Sequence, residues 1–236
     1  MAGVLTPRRR RGEEFLDDPA IEPRTRLRSL RDVARANALF GGASAALAEV
    51  QRVAAAHGAA RLTLLDVGTG AGDIAAAARE RARAGGVTLL PLVVDRAEIL
   101  LGPARANAGV TPVCADALHL PFDDASVDIV LCSQLLHHFE GDRLLRALRE
   151  IDRVARLRAI VADLRRSWLA AAGLWAASFP LRFHPISRHD GVVSVLRGFT
   201  PQELAAHVHR ATGRVAAVRR HRGFRVTASW APAGAP

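Results

Sequence analysis

The chain has 236 residues, about half of them apolar, and a formal charge of +10 in which all 33 basic residues are Arg. The lack of Lys excludes Schiff-base chemistry and the GK[ST] of a phosphate loop, and the lack of Tyr excludes dehydrogenases that depend on a Tyr/Lys pair. No apolar run reaches the roughly 18 residues needed to span a membrane, and the length suits one well-buried core with a small appendage.

Residues 1–24 read as a flexible basic tail. "MAGVLTPRRRRGEEFLDDP" has a basic cluster with no apolar segment after it, so it lacks the form of a secretory or twin-arginine signal, and a cytoplasmic location is expected. "TPRRRRG" is expected to be solvated and dispensable for a small-molecule reaction. Elsewhere Arg is spread along the chain and aromatics do not interleave with it, so nucleic acid is not the expected partner. The Arg and Ala abundance is the mark of a GC-rich coding sequence.

Residues 25–57 show apolar positions at helical spacing, Leu27, Leu30, Val33 and Ala34, then Leu47, Val50 and Val53, broken into two helices by Gly41-Gly42. Residues 60–166 alternate short apolar runs with Ala/Arg/Leu-rich segments. The strand candidates are "RLTLLDV", "VTLLPLVVD", "TPVCAD", "VDIVLC" and "AIVADL", separated by helical stretches at 72–84, 97–107 and 141–155. Near-continuous apolar runs suit parallel strands covered on both faces, and the alternation is that of right-handed βαβ units. Residues 167–199 interrupt it with Trp, Phe, His and Arg and read as an insertion beside the strand ends. In residues 200–236, "FTPQEL" predicts a helix start over 201–212, with Thr200 as N-cap, Pro201 in the first turn and Glu203 completing a capping box. "RVAAVRRH" and "FRVTASW" then form a closing antiparallel pair. Cys114 and Cys132 sit in apolar runs and read as small buried hydrophobes, and "FDDASVD", with Asp123, Asp124 and Asp128, reads as turn chemistry. No metal is expected.

In a doubly wound sheet the ligand binds outside the carboxyl ends of the strands. Gly68, Gly70 and Gly72 follow the first strand there. A dinucleotide loop would read GxGxxG, but Asp73 stands at the third glycine position and Asp66 precedes the loop. Two carboxylates repel a pyrophosphate and favour a cation. S-adenosylmethionine carries a sulfonium and an ammonium and no phosphate. Asp95 ends the second strand where an acid accepts from ribose hydroxyls, and Asp116 follows the third, placed for an adenine amino group.

Taken together, "LLDVGTGAGDIA", "VVD", "ADALHLPFDDASVDIVLCSQLLHHF" and "GFTPQELAAHV" resemble the class I S-adenosylmethionine-dependent methyltransferases, in the style of the ubiquinone/menaquinone-biosynthesis type, over residues 60–230. A narrower similarity, in "LRRS", "HDG" and "LRGFTPQEL", is to small bacterial methyltransferases associated with polyketide-type metabolites. The resemblance implies an α/β fold with a doubly wound, mostly parallel seven-stranded sheet, N-terminal helices and a helical lid insertion. It implies a methionine-binding loop at Asp66, Gly68, Thr69, Gly70 and Gly72, a ribose acid at Asp95 beside Arg96, an adenine contact at Asp116 and Ala117, and positions beside the methyl at Ser133 and Gln134. The expected function is methyl transfer from S-adenosylmethionine to a small-molecule hydroxyl on an aromatic, polyketide or quinone-type acceptor, by a monomer or homodimer. RNA or protein methylation, and a catalytically silent cofactor-binding module, are the alternatives.

An oxygen acceptor benefits from a base. The candidates are His137 and His138 after the fourth strand and His184 and His189 in the insertion. Trp175 and Phe183, with Arg166 at the start of the insertion, are the acceptor-side candidates, and residues 167–199 are expected to form a lid that sets substrate choice.

Overall fold

A computed structural model of the chain describes residues 6–10, 12–18, 20–58, 60–98, 101–102, 104 and 109–233. Its centre is a seven-stranded sheet of β1 (Arg61–Val67), β2 (Thr88–Asp95), β3 (Thr111–Cys114), β4 (Val127–Ser133), β5 (Ala155–Leu164), β6 (Ala217–His221) and β7 (Arg225–Trp230), in the order β3-β2-β1-β4-β5-β7-β6. The first five strands are parallel, and β7 runs antiparallel between β5 and β6.

The register lines up the carboxyl ends. Asp66 lies opposite Val93 on one side and Leu131 on the other, and Asp95 lies opposite Cys114. Strand order reverses between β1 and β4, because β2 and β3 are laid down on one side of β1 and the chain returns to its other side. A crevice opens at such a reversal.

Side chains alternate faces along each strand. Leu62 and Leu64 of β1, Ile129 and Leu131 of β4, and Ile160 and Ala162 of β5 pack under α2 (Gly42–His57) and α3 (Asp73–Ala84). Leu65, Val67, Val130, Cys132, Ala159 and Val161 face the other way, onto α4 (Gly141–Val154) and α7 (Pro201–Thr212). Trp230 closes that second layer, fully buried, with Nε1 donating to Asp152 Oδ1 at 2.7 Å, so its ring buries area without stranding its N–H. α7 starts where the sequence predicts. Thr200 Oγ1 accepts from Glu203 N at 3.1 Å and Glu203 Oε2 accepts from Thr200 N at 2.8 Å, a cap that contributes about 1 kcal/mol. Of the helix predicted over 97–107, residues 98, 101, 102 and 104 are helical, residue 97 precedes the helix, and the remainder lies outside the described residues.

α1 (Pro23–Leu39) meets α2 at Gly41, whose φ of 78° only glycine takes without strain. The β6–β7 turn fits against this junction so closely that a side chain on Gly223 would strike the Phe40 carbonyl. The insertion forms α5 (Trp168–Ser178) and α6 (Pro185–Arg197), capped by Ser167 and by His184.

The described part of the N-terminal segment departs from the loose, solvated tail expected of its composition. Arg9 Nε donates to the Arg197 carbonyl at 2.7 Å, its Nη2 donates to the Phe139 carbonyl at 3.0 Å, and its guanidinium stacks 4.5 Å from the Phe199 ring centre. Arg10 stacks on Trp168. Glu14 is buried, and its Oε1 accepts from Ser194 Oγ at 2.8 Å and Arg197 Nη1 at 3.1 Å. Both oxygens of Asp190 accept from the chain, from Phe15 N and Leu16 N at 2.9 Å each. Residues 6–10 and 12–18 thus form a strap across α6. The charges of Arg9, Arg10 and Glu14 are met by carbonyls, rings and α6 side chains, which is how charged residues tolerate burial. No helix among the described residues is long and apolar enough to cross a membrane.

Candidate active site

Two cavities open at the carboxyl edge of the sheet. The smaller, about 350 Å³, lies between the loops that follow β1 to β4 and is lined by Gly68, Asp95, Arg96, Asp116, Ala117 and Arg143 among others. The larger, about 600 Å³, lies under α1, α5 and α6. Its wall is mostly apolar, with Leu30, Val33, Leu164, Leu174, Phe183 and Val195, interrupted by Glu14, Gln134, His137 and Arg225. His138 lines both.

The glycine loop is built to bring backbone and side chains close. Gly68 N and Thr69 N donate to the Val94 carbonyl at 2.8 and 3.1 Å, pinning the loop to β2. At Gly68, φ is 73° and a Cβ would meet Leu135 Cδ2 at 2.7 Å, so glycine is required for the β4 loop to close over it. At Gly70, φ is 58° and open space stands where a Cβ would be, a cradle facing the cleft. Gly72 is the N-cap of α3. Asp95 Oδ2 accepts from Gly70 N and Oδ1 from Ala97 N, both at 3.0 Å, which fixes the carboxylate at the cleft wall with lone pairs to spare. Asp116 Oδ1 accepts from Leu118 N at 2.9 Å in the same way.

Asp66 is fully buried. Its Oδ2 accepts from Thr69 Oγ1 at 2.7 Å, while Oδ1 has no partner among the described residues. Burial, reinforced by the charges of Asp73 and Asp95 and opposed by the Thr69 bond, pushes its carboxyl up to about 7.

Residues 65–162 match the family described as "Methyltransferase domain". An "Uncharacterized methyltransferase" of Mycolicibacterium paratuberculosis is 35% identical over 174 residues, which are 73% of this chain and 60% of that protein, so the chain spans about 60% of the length of this relative. Among solved structures, magnesium protoporphyrin IX methyltransferase of Synechocystis PCC 6803, with bound SAH, superposes with a TM-score of 0.58 at 14% identity, over 92% of this chain and 90% of that one. A SAM-dependent methyltransferase of Aquifex aeolicus gives 0.54 at 17% identity, over 77% and 88%. The glycine loop and most of the parallel part of the sheet, from within β1 to within β5, lie in the matched segment. The whole chain has the Rossmann-like methyltransferase fold.

The cleft fits S-adenosylmethionine on its own chemistry. A buried carboxylate oxygen without a partner suits an ammonium, the open space at Gly70 suits a chain lying on the loop, and acids ending successive strands suit a cationic ligand with hydroxyls and an amino group. Gly68, Asp95, Arg96, Asp116 and Ala117 line the cleft, and Asp66, Thr69, Gly70 and Gly72 stand in the adjoining loop, tied by the Thr69–Asp66 and Gly70–Asp95 bonds. Ser133 ends β4 and Gln134 follows it. Ser133 Oγ is buried and has no partner among the described residues, and Gln134 lines the larger cavity. Gln134 is held at φ 54°, a conformation that costs a non-glycine residue on the order of 1 kcal/mol, with its N–H on the Ala162 carbonyl at 2.8 Å.

Of the four histidines, two reach the cavities. His137 is buried, and its Nδ1 donates to Asp163 Oδ1 at 2.7 Å while its backbone N–H donates to Asp163 Oδ2 at 3.2 Å. Burial pushes Asp163 up, but the charge and hydrogen bonds of His137, helped by the Leu164 N–H, outweigh it and leave this carboxyl below its usual value. His138 stacks at 4.4 Å on His137, with Nε2 3.8 Å from Glu14 Oε2. His184 caps α6, accepting from Ile186 N at Nδ1, and its ring lines neither cavity. His189 packs on Phe15 with Nδ1 2.9 Å from Asp190, so it fastens the strap.

Two acceptor-side expectations are corrected. Trp175 is 53% exposed and meets Phe179 edge-on outside the cavity, because α5 is apolar all round and only part of its surface is covered. Arg166 is buried with its guanidinium consumed by the Pro7 and Gly198 carbonyls and by Glu203, which leaves it structural. Phe183 does line the cavity. Sequence reasoning missed Asp163, although an acid within the apolar run "AIVADL" was the signal for a fourth strand-end carboxylate. It also missed Leu135, Phe139 and Arg143 in the cleft, and Glu14 and Arg225 in the cavity.

Proposed function

We propose that the protein transfers the methyl group of S-adenosylmethionine to a hydroxyl of a small aromatic, polyketide or quinone-type acceptor seated in the larger cavity, acting in the cytoplasm as a monomer or homodimer. The observation that carries this reading is the shared wall. His138 borders both a polar, acid-lined cleft and an apolar cavity, so a donor in one and an acceptor in the other meet at the histidine pair.

S-adenosylmethionine, when bound, supplies a methyl on a positively charged sulfur that an acceptor oxygen displaces in line. Asp66, Asp95 and Asp116 hold the donor by its charge and its polar groups, and Gly70 lets it approach the backbone. His137 is the base. With Nδ1–H given to Asp163, its Nε2 takes the acceptor's hydroxyl proton as the oxygen–carbon bond forms and the sulfur–carbon pair stays with sulfur. Asp163 holds the ring in that tautomer and steadies the imidazolium that results. The strap and the α5–α6 insertion cover the cavity and exclude water from the reacting centre.

The test is incubation of the full chain with methyl-labelled S-adenosylmethionine and a panel of phenols, naphthols and hydroquinones, with RNA and protein as parallel arms. Label on the oxygen of a small acceptor is expected. Label found only on RNA or protein, or none transferred although the donor binds, overturns the reading.

A further inference from the structure

Arg225 is the first residue of β7, and because β7 is antiparallel this places it at the carboxyl edge of the sheet, in the wall of the larger cavity. It is 6% exposed, and its Nε is buried with no hydrogen-bond partner. Among the described residues no hydrogen bond or ion pair is recorded for its guanidinium. The acid whose charge acts on it is Asp163, and Asp163 is spent elsewhere: Oδ1 accepts from His137 Nδ1 and Leu164 N, and Oδ2 from His137 N. A buried guanidinium left in this state is costly, so the fold retains an unmet demand for an anion.

Three further features converge on the same spot. The point where a Cβ on Gly42 would stand lies 3.2 Å from Arg225 Nε, 2.7 Å from Gln134 Nε2 and 3.0 Å from Asn37 Oδ1. Asn37 and Gln134 line the cavity with Arg225. Gly42 opens the 16-residue helix α2, so the start of the helix, the positive end of its dipole, lies at this corner. Gln134 is the residue held at positive φ, and that turn carries its amide to the corner.

We propose that Arg225, Gln134 and the N-terminus of α2 form a carboxylate-binding corner of the acceptor cavity, so that the acceptor is an apolar hydroxy acid. This rests on the reading of the larger cavity as the acceptor site. The guanidinium fork matches a carboxylate, the Gln134 amide and the helix N–H groups add donors, and the apolar wall takes the rest of the acceptor. The hydroxyl to be methylated then faces His137, with the acid group as the anchor that fixes its orientation.

The test uses 6-hydroxy-2-naphthoate and its uncharged analogue 2-naphthol, titrated calorimetrically into the full chain saturated with S-adenosylhomocysteine. The naphthoate is expected to bind about 10- to 100-fold more tightly than 2-naphthol. Arg225→Met removes that preference and Arg225→Lys keeps part of it, with S-adenosylhomocysteine affinity unchanged in both. Gly42→Ala fills the corner and lowers naphthoate affinity about tenfold while 2-naphthol stays within about twofold. If Arg225→Met fails to fold, Gly42→Ala decides, since alanine is favoured in a helix. Equal binding of the two probes to the wild type, or a preference that survives in Arg225→Met or is untouched by Gly42→Ala, overturns the corner alone. Failure of the wild type to bind S-adenosylhomocysteine overturns the methyl-transfer reading and takes the inference with it.

Discussion

The sharpest prediction concerns Asp66, whose carboxyl is pushed up to about 7 by burial. A donor carrying an ammonium needs the carboxylate, so binding draws off the proton whenever Asp66 holds one. Affinity should then be flat above about pH 8 and fall by a factor of ten per unit below about pH 7, or about 100-fold weaker at about pH 5, equal to about 2.7 kcal/mol. Calorimetry in two buffers of different ionisation enthalpy reads this directly as close to one proton released per S-adenosylhomocysteine at about pH 5.5 and about half a proton at about pH 7. The contribution of Asp66 to stability has the opposite sign. An acid raised from 3.8 to about 7 binds a proton in the folded state that the unfolded chain has lost, so this one contribution is fully present below about pH 4 and declines as pH rises to about 7. Ionised in the folded protein, Asp66 costs roughly 4 kcal/mol. Asp66→Asn escapes this penalty and loses about 1–3 kcal/mol for an unpaired amide N–H. Without ligand at about pH 8 the variant should therefore be more stable by about 1–3 kcal/mol, a rise of about 2–4 °C in Tm for each kcal/mol, while its donor affinity falls and loses its pH slope. Donor affinity that stays level from about pH 5 to about pH 8 in a folded wild-type protein, with no proton release, refutes this reasoning.

Asp95→Ala should weaken S-adenosylhomocysteine by about 10- to 150-fold with little change in Tm, and an unchanged Kd in a folded variant removes Asp95 from the site. His137→Gln should lower kcat by about 10²–10⁴ while donor affinity stays within about twofold, and a variant with wild-type turnover shows that the proton leaves by another route. Deleting residues 1–18 removes the Arg9, Glu14 and Asp190 bonds and should raise the acceptor KM and lower Tm, where a truly solvated tail would change neither. Trp175→Ala should change stability by no more than about 0.5 kcal/mol and leave turnover unaltered, whereas Phe183→Ala, at 5% exposure, should cost several times that and shift acceptor preference.

The strands were legible because parallel strands buried on both faces leave unbroken apolar runs, and β1 falls on "RLTLLDV" residue for residue. The glycine loop and the α7 capping box were legible because backbone conformation and cap chemistry demand particular residues at fixed offsets. What stayed hidden is what only tertiary pairing decides. Arg9 and Glu14 read as solvated charges until their partners on α6 and the β4 loop come into range. Arg225 was one Arg among 33, and its position depends on β7 entering between β5 and β6, which chain order does not disclose. Trp175 and Phe183 look alike in a list of aromatics, and only the facing of α5 and the turn after it separates an outward ring from a cavity wall.

The two cavities are written in different stretches of the chain. The smaller cavity, the proposed donor cleft, is lined from residues 68–143, and the larger, the proposed acceptor site, from residues 14–40 and 164–225, with the segment 134–138 serving as the seam. Substitutions in the strap, α1, α5 and α6 can accumulate without touching a donor contact. The acceptor spectrum is therefore free to drift under selection while donor handling is conserved, and transplanting residues 1–57 and 167–199 together is the natural way to exchange one specificity for another. Moving either segment alone would leave Asp190 without the strap, or the strap without Asp190, and the cavity with one wall missing.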